Sequence, residues 1–137
     1  MSPFPHGNMP VVNRPVMLDT SFLIALERET ANGRLGPARK LLPSLRGCPL
    51  VISIVTVEEL LEGAADEAIT TASLQRFSIQ GLHLAQARRC ALLQRRAPLR
   101  QGDNDAWLVA TAASLDAVGG ADRIAFEHLG ARYVRFQ

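Results

Sequence analysis

Four carboxylates stand where chemistry would need them. Asp19, Glu59, Asp105 and Asp122 each lie where a strand gives way to a helix or where a helix begins. In an open parallel α/β sheet such junctions gather on one edge, beyond the carboxyl ends of the strands, where ligands bind. Carboxylates crowded there repel one another and need a cation. An all-oxygen donor set, without histidine or thiolate, selects Mg2+ or Mn2+. Such an ion lowers the pKa of a bound water and neutralises charge on a phosphate, which is the chemistry of metal-assisted phosphodiester hydrolysis.

Each acid also has a plainer role open to it. Thr56-Val57-Glu58-Glu59 has the pattern of a capping box, in which Glu59 reaches back to the Thr56 N–H. Asp105 and Asp122 suit helix caps or first-turn acids favoured by the helix dipole. Asp19 suits an Asx-turn. Asp103 is a spare acid close to Asp105, its simpler role that of a solvated turn residue.

The elements that position these acids follow from hydrophobic spacing. Val16, Met17 and Leu18 suit a short buried strand ending at Asp19, and a helix from Phe22 to about Glu29 would be capped by Thr20 or Ser21. Pro37 begins a second helix running to about Leu45. Leu50 to Val55 makes a second buried strand. Val57, Leu60, Leu61, Ala64, Ala65 and Ala68 form one apolar helical stripe, opposite Glu58, Glu59, Glu62 and Asp66. A helix over Glu67 to Arg76, a short strand within Phe77 to Leu82, and a helix over Leu84 to Arg96 ending before Pro98 come next. Ala106 to Ala113 is apolar nearly all round, as a buried helix is, and Ala117-Val118 is a weak strand ended by Gly119-Gly120. Asp122 to His128 reads as a last short helix, and Arg132 to Phe136 alternates as an edge strand does. Strands alternating with helices imply a parallel sheet of four to five strands in a three-layer α/β/α arrangement.

Composition narrows the function further. At 137 residues, 47% hydrophobic and 20% charged, the chain is expected to form one globular domain over residues 15–137 behind a flexible, proline-rich lead at residues 1–14. No apolar run reaches the roughly 18 residues of a membrane span, and no secretory signal is evident, so no membrane partner and a cytoplasmic location are expected. Cys48 and Cys90 read as buried free thiols, and the scattered His6, His83 and His128 argue against zinc.

The net charge is only +2, so a polyanion would have to be held by a local patch. Lys40 is the sole lysine, and arginine favours planar, bidentate phosphate contacts. Arg88, Arg89, Arg95, Arg96 and Arg100 form the densest basic run. On a helix the pairs Arg88/Arg95 and Arg89/Arg96 recur after two turns, giving either a solvated surface or a phosphate-gripping edge. Trp107 is assigned to core packing rather than base stacking. The chain has no G-x-G-x-x-G, no Walker loop and no Ser-His-Asp set. A haloacid-dehalogenase phosphatase would need aspartate two residues after Asp19, where Ser21 stands.

Three stretches, in order, resemble the PIN domain (PilT N-terminus) family and within it the VapC-type toxins of toxin–antitoxin pairs. They are Met17-Leu18-Asp19-Thr20-Ser21-Phe22-Leu23-Ile24, Thr56-Val57-Glu58-Glu59-Leu60-Leu61-Glu62-Gly63-Ala64 and Asn104-Asp105-Ala106-Trp107-Leu108-Val109-Ala110-Thr111-Ala112. The resemblance spans about residues 16 to 136. It implies a Mg2+- or Mn2+-dependent ribonuclease with Asp19, Glu59 and Asp105 as the first three acids. Glu59 is preferred to Glu58 because it precedes Leu-Leu-x-Gly, and Ser21 or Thr20 matches a hydroxyl supporting the first acid. It also implies an RNA substrate, a small antitoxin and a homodimer.

The fourth position departs from the family pattern. Gly120-Ala121-Asp122, with Phe126, keeps the acid and loses the usual hydroxyl two residues before it. That loss supports an alternative from another class, a PIN-like module that binds RNA or a protein without cutting.

Overall fold

The structure is a computed structural model in which residues 14–112, 115–119 and 133–136 are described. The first strand, β1, is Val16–Leu18, three residues without solvent exposure. Asp19 occupies the N-cap position of α1, Thr20–Ala31. The helix thus begins at Thr20, two residues ahead of the expected Phe22. Gly33, at φ 64°, turns the chain after α1, a backbone region that glycine enters without a Cβ penalty.

Pro37 opens α2, Pro37–Leu41, as expected, but the helix does not reach Leu45 in α form. Residues Leu42–Leu45 are a 3-10 turn containing Pro43, which has no N–H for an α-helical bond. The second strand, β2, is Leu50–Ser53 and stops short of Val55. Ser53 ends it: its hydroxyl accepts the Val55 N–H at 3.0 Å and caps α3, Ile54–Glu62.

That early start moves Glu59 from the expected first turn into the second. It also breaks the expected long stripe, because α3 ends at Gly63. A separate helix, α4, Glu67–Leu74, begins where Asp66 Oδ1 accepts the Ile69 N–H at 3.2 Å. The rest of the described chain is β3 (Ser78–Gln80), α5 (Leu84–Arg96), α6 (Asp103–Thr111), β4 (Asp116–Gly119) and β5 (Tyr133–Arg135). The helix expected over Asp122 to His128 lies outside the described residues.

The five strands form one sheet in the order β3-β2-β1-β4-β5, and every pairing is parallel. The registers Val16↔Leu50 and Met17↔Ala117 place β1 centrally, between β2 and β4. Chain order runs outward from β1 to β2 and β3, then returns to β4 on the other side. The order therefore reverses between β1 and β4, and the crevice of a doubly wound sheet opens at such a point.

Alternation along β1 sends its side chains to two layers. Val16 and Leu18 pack with Phe22, Leu23 and Leu26 of α1, Ala38 of α2, and Phe136. Met17 packs with Leu108, Val109 and Ala112 of the α6 segment and with Ala117 of β4. Helices on both faces make the three-layer α/β/α arrangement expected from the sequence. Phe136 closes the sheet edge with its ring edge-on to Phe22, centroids 5.1 Å apart. Cys90 is buried as expected, whereas Cys48 is only half-buried; neither is in a disulfide among the described residues. Among the described residues no helix is long and apolar enough to cross a membrane.

Candidate active site at the carboxyl edge of the sheet

Asp19 follows directly from the central strand and is wholly buried. Although it holds the N-cap position, its carboxylate makes no capping bond to α1. Instead Oδ2 accepts the Ser21 hydroxyl at 2.6 Å. Its Oδ1 is a buried oxygen that accepts no hydrogen bond from the described residues. The helix N-terminus beside it favours negative charge there.

Glu59 reaches this edge from α3. Its Oε1 accepts the Thr20 hydroxyl at 2.6 Å, and its Oε2 accepts the Asn104 amide at 3.4 Å. The capping-box role is not the one it plays, because Ser53 caps the helix and Thr56 sits inside the first turn. Thr56 is buried there, 3.2 Å from Thr20 Oγ1. Thr20 thus ties the start of α1 to α3. Glu58, the neighbouring candidate, lies beside Ile54, Val57, Leu61 and Glu62 in a separate shallow groove. Burial, and then the charge of Glu62, push its pKa above the usual carboxylate range.

Asp105 lies in the first turn of α6 behind the N-cap Gly102, half-buried, one residue past the Asn104 that meets Glu59. A first-turn acid in this position gains from the helix dipole whatever else it does. Asp103 is exposed and paired to Arg100 at 2.7 Å, the solvated role that its surroundings suggested. Asp122 and Gly120 lie outside the described residues.

The structure therefore brings Asp19, Thr20, Ser21, Thr56, Glu59 and Asn104 together at one edge, with Asp105 on the same helical turn as Asn104. Among the described residues no three acidic, histidine or cysteine side chains converge closely enough to hold a metal ion by themselves. The acids rest instead on hydroxyls and an amide. As donors Asp19, Glu59 and Asp105 suit a hard divalent cation, since all are carboxylates. Thr56 and Asn104 had no site role in the sequence reading. The signal for Thr56 was the spacing Thr56-x-x-Glu59, which reads differently once Ser53 is recognised as the cap; Asn104 carried only its place beside Asp105.

The basic run does not enter this edge through any described contact. Arg88, Arg89, Arg95, Arg96 and Arg100 are exposed on α5 and the loop after it. Arg96 borders a shallow groove with Leu92, Leu93, Ala97 and Pro98. Trp107 packs with Cys90, Ala106 and Ala110, as a core residue would.

A doubly wound, all-parallel α/β/α domain with supported carboxylates at the reversal of strand order is the class defined by this fold and edge. A family model for the PIN domain matches residues 16–128, and the chain belongs to the PIN domain family. Comparison by sequence with curated proteins finds no match. Among solved structures, a toxin–antitoxin complex from Klebsiella pneumoniae is similar with a TM-score of 0.69 and 25% identity, over 89% of this chain and 98% of that one. VapBC-1 from nontypeable Haemophilus influenzae gives a TM-score of 0.65 at 20% identity, over 89% and 98% of the two chains. VapBC2 from Rickettsia felis, bound to a promoter DNA fragment, gives 0.64 at 16%, over 85% and 94%.

Proposed function

We propose that this chain is a VapC-type toxin, a Mg2+- or Mn2+-dependent endoribonuclease restrained by a small antitoxin and assembled as a homodimer. The observation that carries this reading is the placement of Asp19 and Glu59 at the switch point of a PIN-family sheet, both held by hydroxyl or amide groups rather than spent on capping. Asp19, Glu59 and Asp105, with Asp122, would hold the metal. When bound, the cation would lower the pKa of water at the site and offset charge on the scissile phosphate.

The chain's own residues do the positioning. Ser21 holds one oxygen of Asp19, and Thr20 and Asn104 hold the two oxygens of Glu59, so both carboxylates keep their orientation. The antitoxin is carried over from the Klebsiella neighbour, described as a toxin–antitoxin complex at 25% identity. A cytoplasmic location accords with that role.

The test is calorimetric titration of Mn2+ into the wild type and Asp19→Asn. Saturable binding that the substitution removes is expected. Absent binding, or binding indifferent to Asp19, overturns the metal site. Gly120, which stands where the family has a hydroxyl, favours a second reading as a non-cutting RNA- or protein-binding module. That reading requires RNA to survive incubation with the Mn2+-loaded protein.

A further inference from the structure

We infer that the cleft between α1 and α2 is a phosphate-binding subsite for the RNA strand, with Arg28 and Arg34 as its gripping residues. This inference rests on the ribonuclease reading and adds where the substrate backbone lies. The cleft has a volume of about 360 Å3, and Ser21, Arg28, Glu29 and Arg34 are among the residues lining it. Ser21, the side chain that holds Asp19, is part of the lining, so the cleft runs up to the outer support of the acidic edge.

Arg28 lies seven residues along α1 from Ser21, about 10.5 Å at 1.5 Å per residue. A strand in the cleft would therefore place a phosphate near Arg28 that is distinct from the one beside Asp19. Arg34 reaches the cleft because the left-handed turn at Gly33 brings the chain back, with the Arg34 N–H bonded to the Glu29 carbonyl at 2.9 Å.

The charge in the cleft favours an anion. Among the described residues lining it, Glu29 is the only carboxylate, and both its oxygens are turned into the start of α2. Oε1 accepts the Arg39 N–H at 2.8 Å, and Oε2 accepts the Ala38 N–H at 3.1 Å. Glu29 keeps its charge and sits near Arg34, but its oxygens are turned to backbone amides, so two guanidinium groups face one carboxylate in the lining and the balance is positive. Guanidinium matches phosphate bidentately. A cation-free acidic edge repels a polyanion, and adjacent arginines offset that repulsion where the strand must pass. The arginines of α5 lack this continuity with Asp19.

The test is fluorescence anisotropy of a labelled single-stranded RNA of mixed sequence, with EDTA present, across a range of salt concentrations. Each phosphate contact on a single strand contributes a slope of about −0.7 in log K against log salt. The Arg28→Ala/Arg34→Ala variant should bind about tenfold or more weakly, with the slope shallower by about 1.4. The Arg28→Lys/Arg34→Lys variant should keep the slope. Lys40→Ala, which removes an exposed charge of α2 outside the cleft, should stay close to the wild type, and unfolding temperatures should show that all variants are folded.

Equal weakening by Lys40→Ala would reduce the effect to net charge and overturn the subsite. Wild-type binding indifferent to the arginine pair would overturn the subsite and leave the ribonuclease reading standing. No RNA binding by the wild type in EDTA would overturn the subsite, and absence of RNA cleavage by the Mn2+-loaded wild type would separately overturn the ribonuclease reading.

Discussion

Asp105 is the acid that the start of α6 brings beside Asn104 at the edge. It is half-buried in the first turn of α6, behind Gly102 at the N-cap position. Asp105→Asn keeps the size and removes the charge. RNA cleavage should fall to background while the folded state persists, read by gel assay and circular dichroism. Thr20 is the converse case, a buried hydroxyl whose bonds to Glu59 and Thr56 serve position. Thr20→Val conserves shape and deletes the donor. Losing such a support typically weakens metal affinity about 10-fold to 100-fold. The stability cost should be about 1 kcal/mol. Mn2+ calorimetry beside a urea titration separates the two effects, and a purely structural hydroxyl would move only the second. The residue types at this edge were legible because carboxylates at helix starts carry a spacing signal. Their supports were not, since Thr56 and Asn104 act across 36 and 45 positions of sequence.

At the scale of elements, the joint between α1 and α2 depends on one buried charge. Glu29, near the end of α1, is 2% exposed and accepts the first N–H groups of α2. Burial pushes its pKa up, but the N–H of Arg39, then that of Ala38 and the charge of Arg34, outweigh it, and the pKa lies below the ordinary value. A carboxylate with a lowered folded pKa contributes stability that is present above its unfolded value, about 4.3, and lost as pH falls through the folded one. The unfolding temperature of the wild type should therefore drop on acidification below about pH 4, and that of Glu29→Gln should drop less. At neutral pH the Gln variant should be the less stable, because its amide sets a donor against backbone donors. Differential scanning fluorimetry across pH reads both outcomes. Gly36 belongs to the same joint: a Cβ there would stand 2.5 Å from the Glu29 carboxyl carbon. The sequence announced the start of α2 through Pro37, but nothing local announces a cap supplied from eight residues upstream. Boundaries failed for a related reason. Ser53 won over Thr56 as the cap of α3, and both are hydroxyl residues with equal local claim.

For the whole molecule, the order of elements was readable because each strand is a short apolar run and each helix carries its own spacing. Pairing was not, since nothing in three-residue strands such as Val16–Leu18 or Ser78–Gln80 specifies the order β3-β2-β1-β4-β5. That order matters for function: it places Asp19 at the centre of the sheet, where its burial is complete and any change in its charge is felt by both layers. A domain that keeps a buried carboxylate at its centre trades stability for the site. Metal binding should return that stability. A ligand that binds only the folded state stabilises it by RT ln(1 + [L]/Kd), about 2.7 kcal/mol at one hundred times Kd. For a domain of this size that corresponds to a rise in unfolding temperature of roughly 10 °C. Thermal scans over a Mn2+ series should show the wild type climbing in this manner. Asp19→Asn should stay flat as Mn2+ is added. A variant that starts lower and still climbs would mean that Asp19 supports the fold and the metal sits elsewhere.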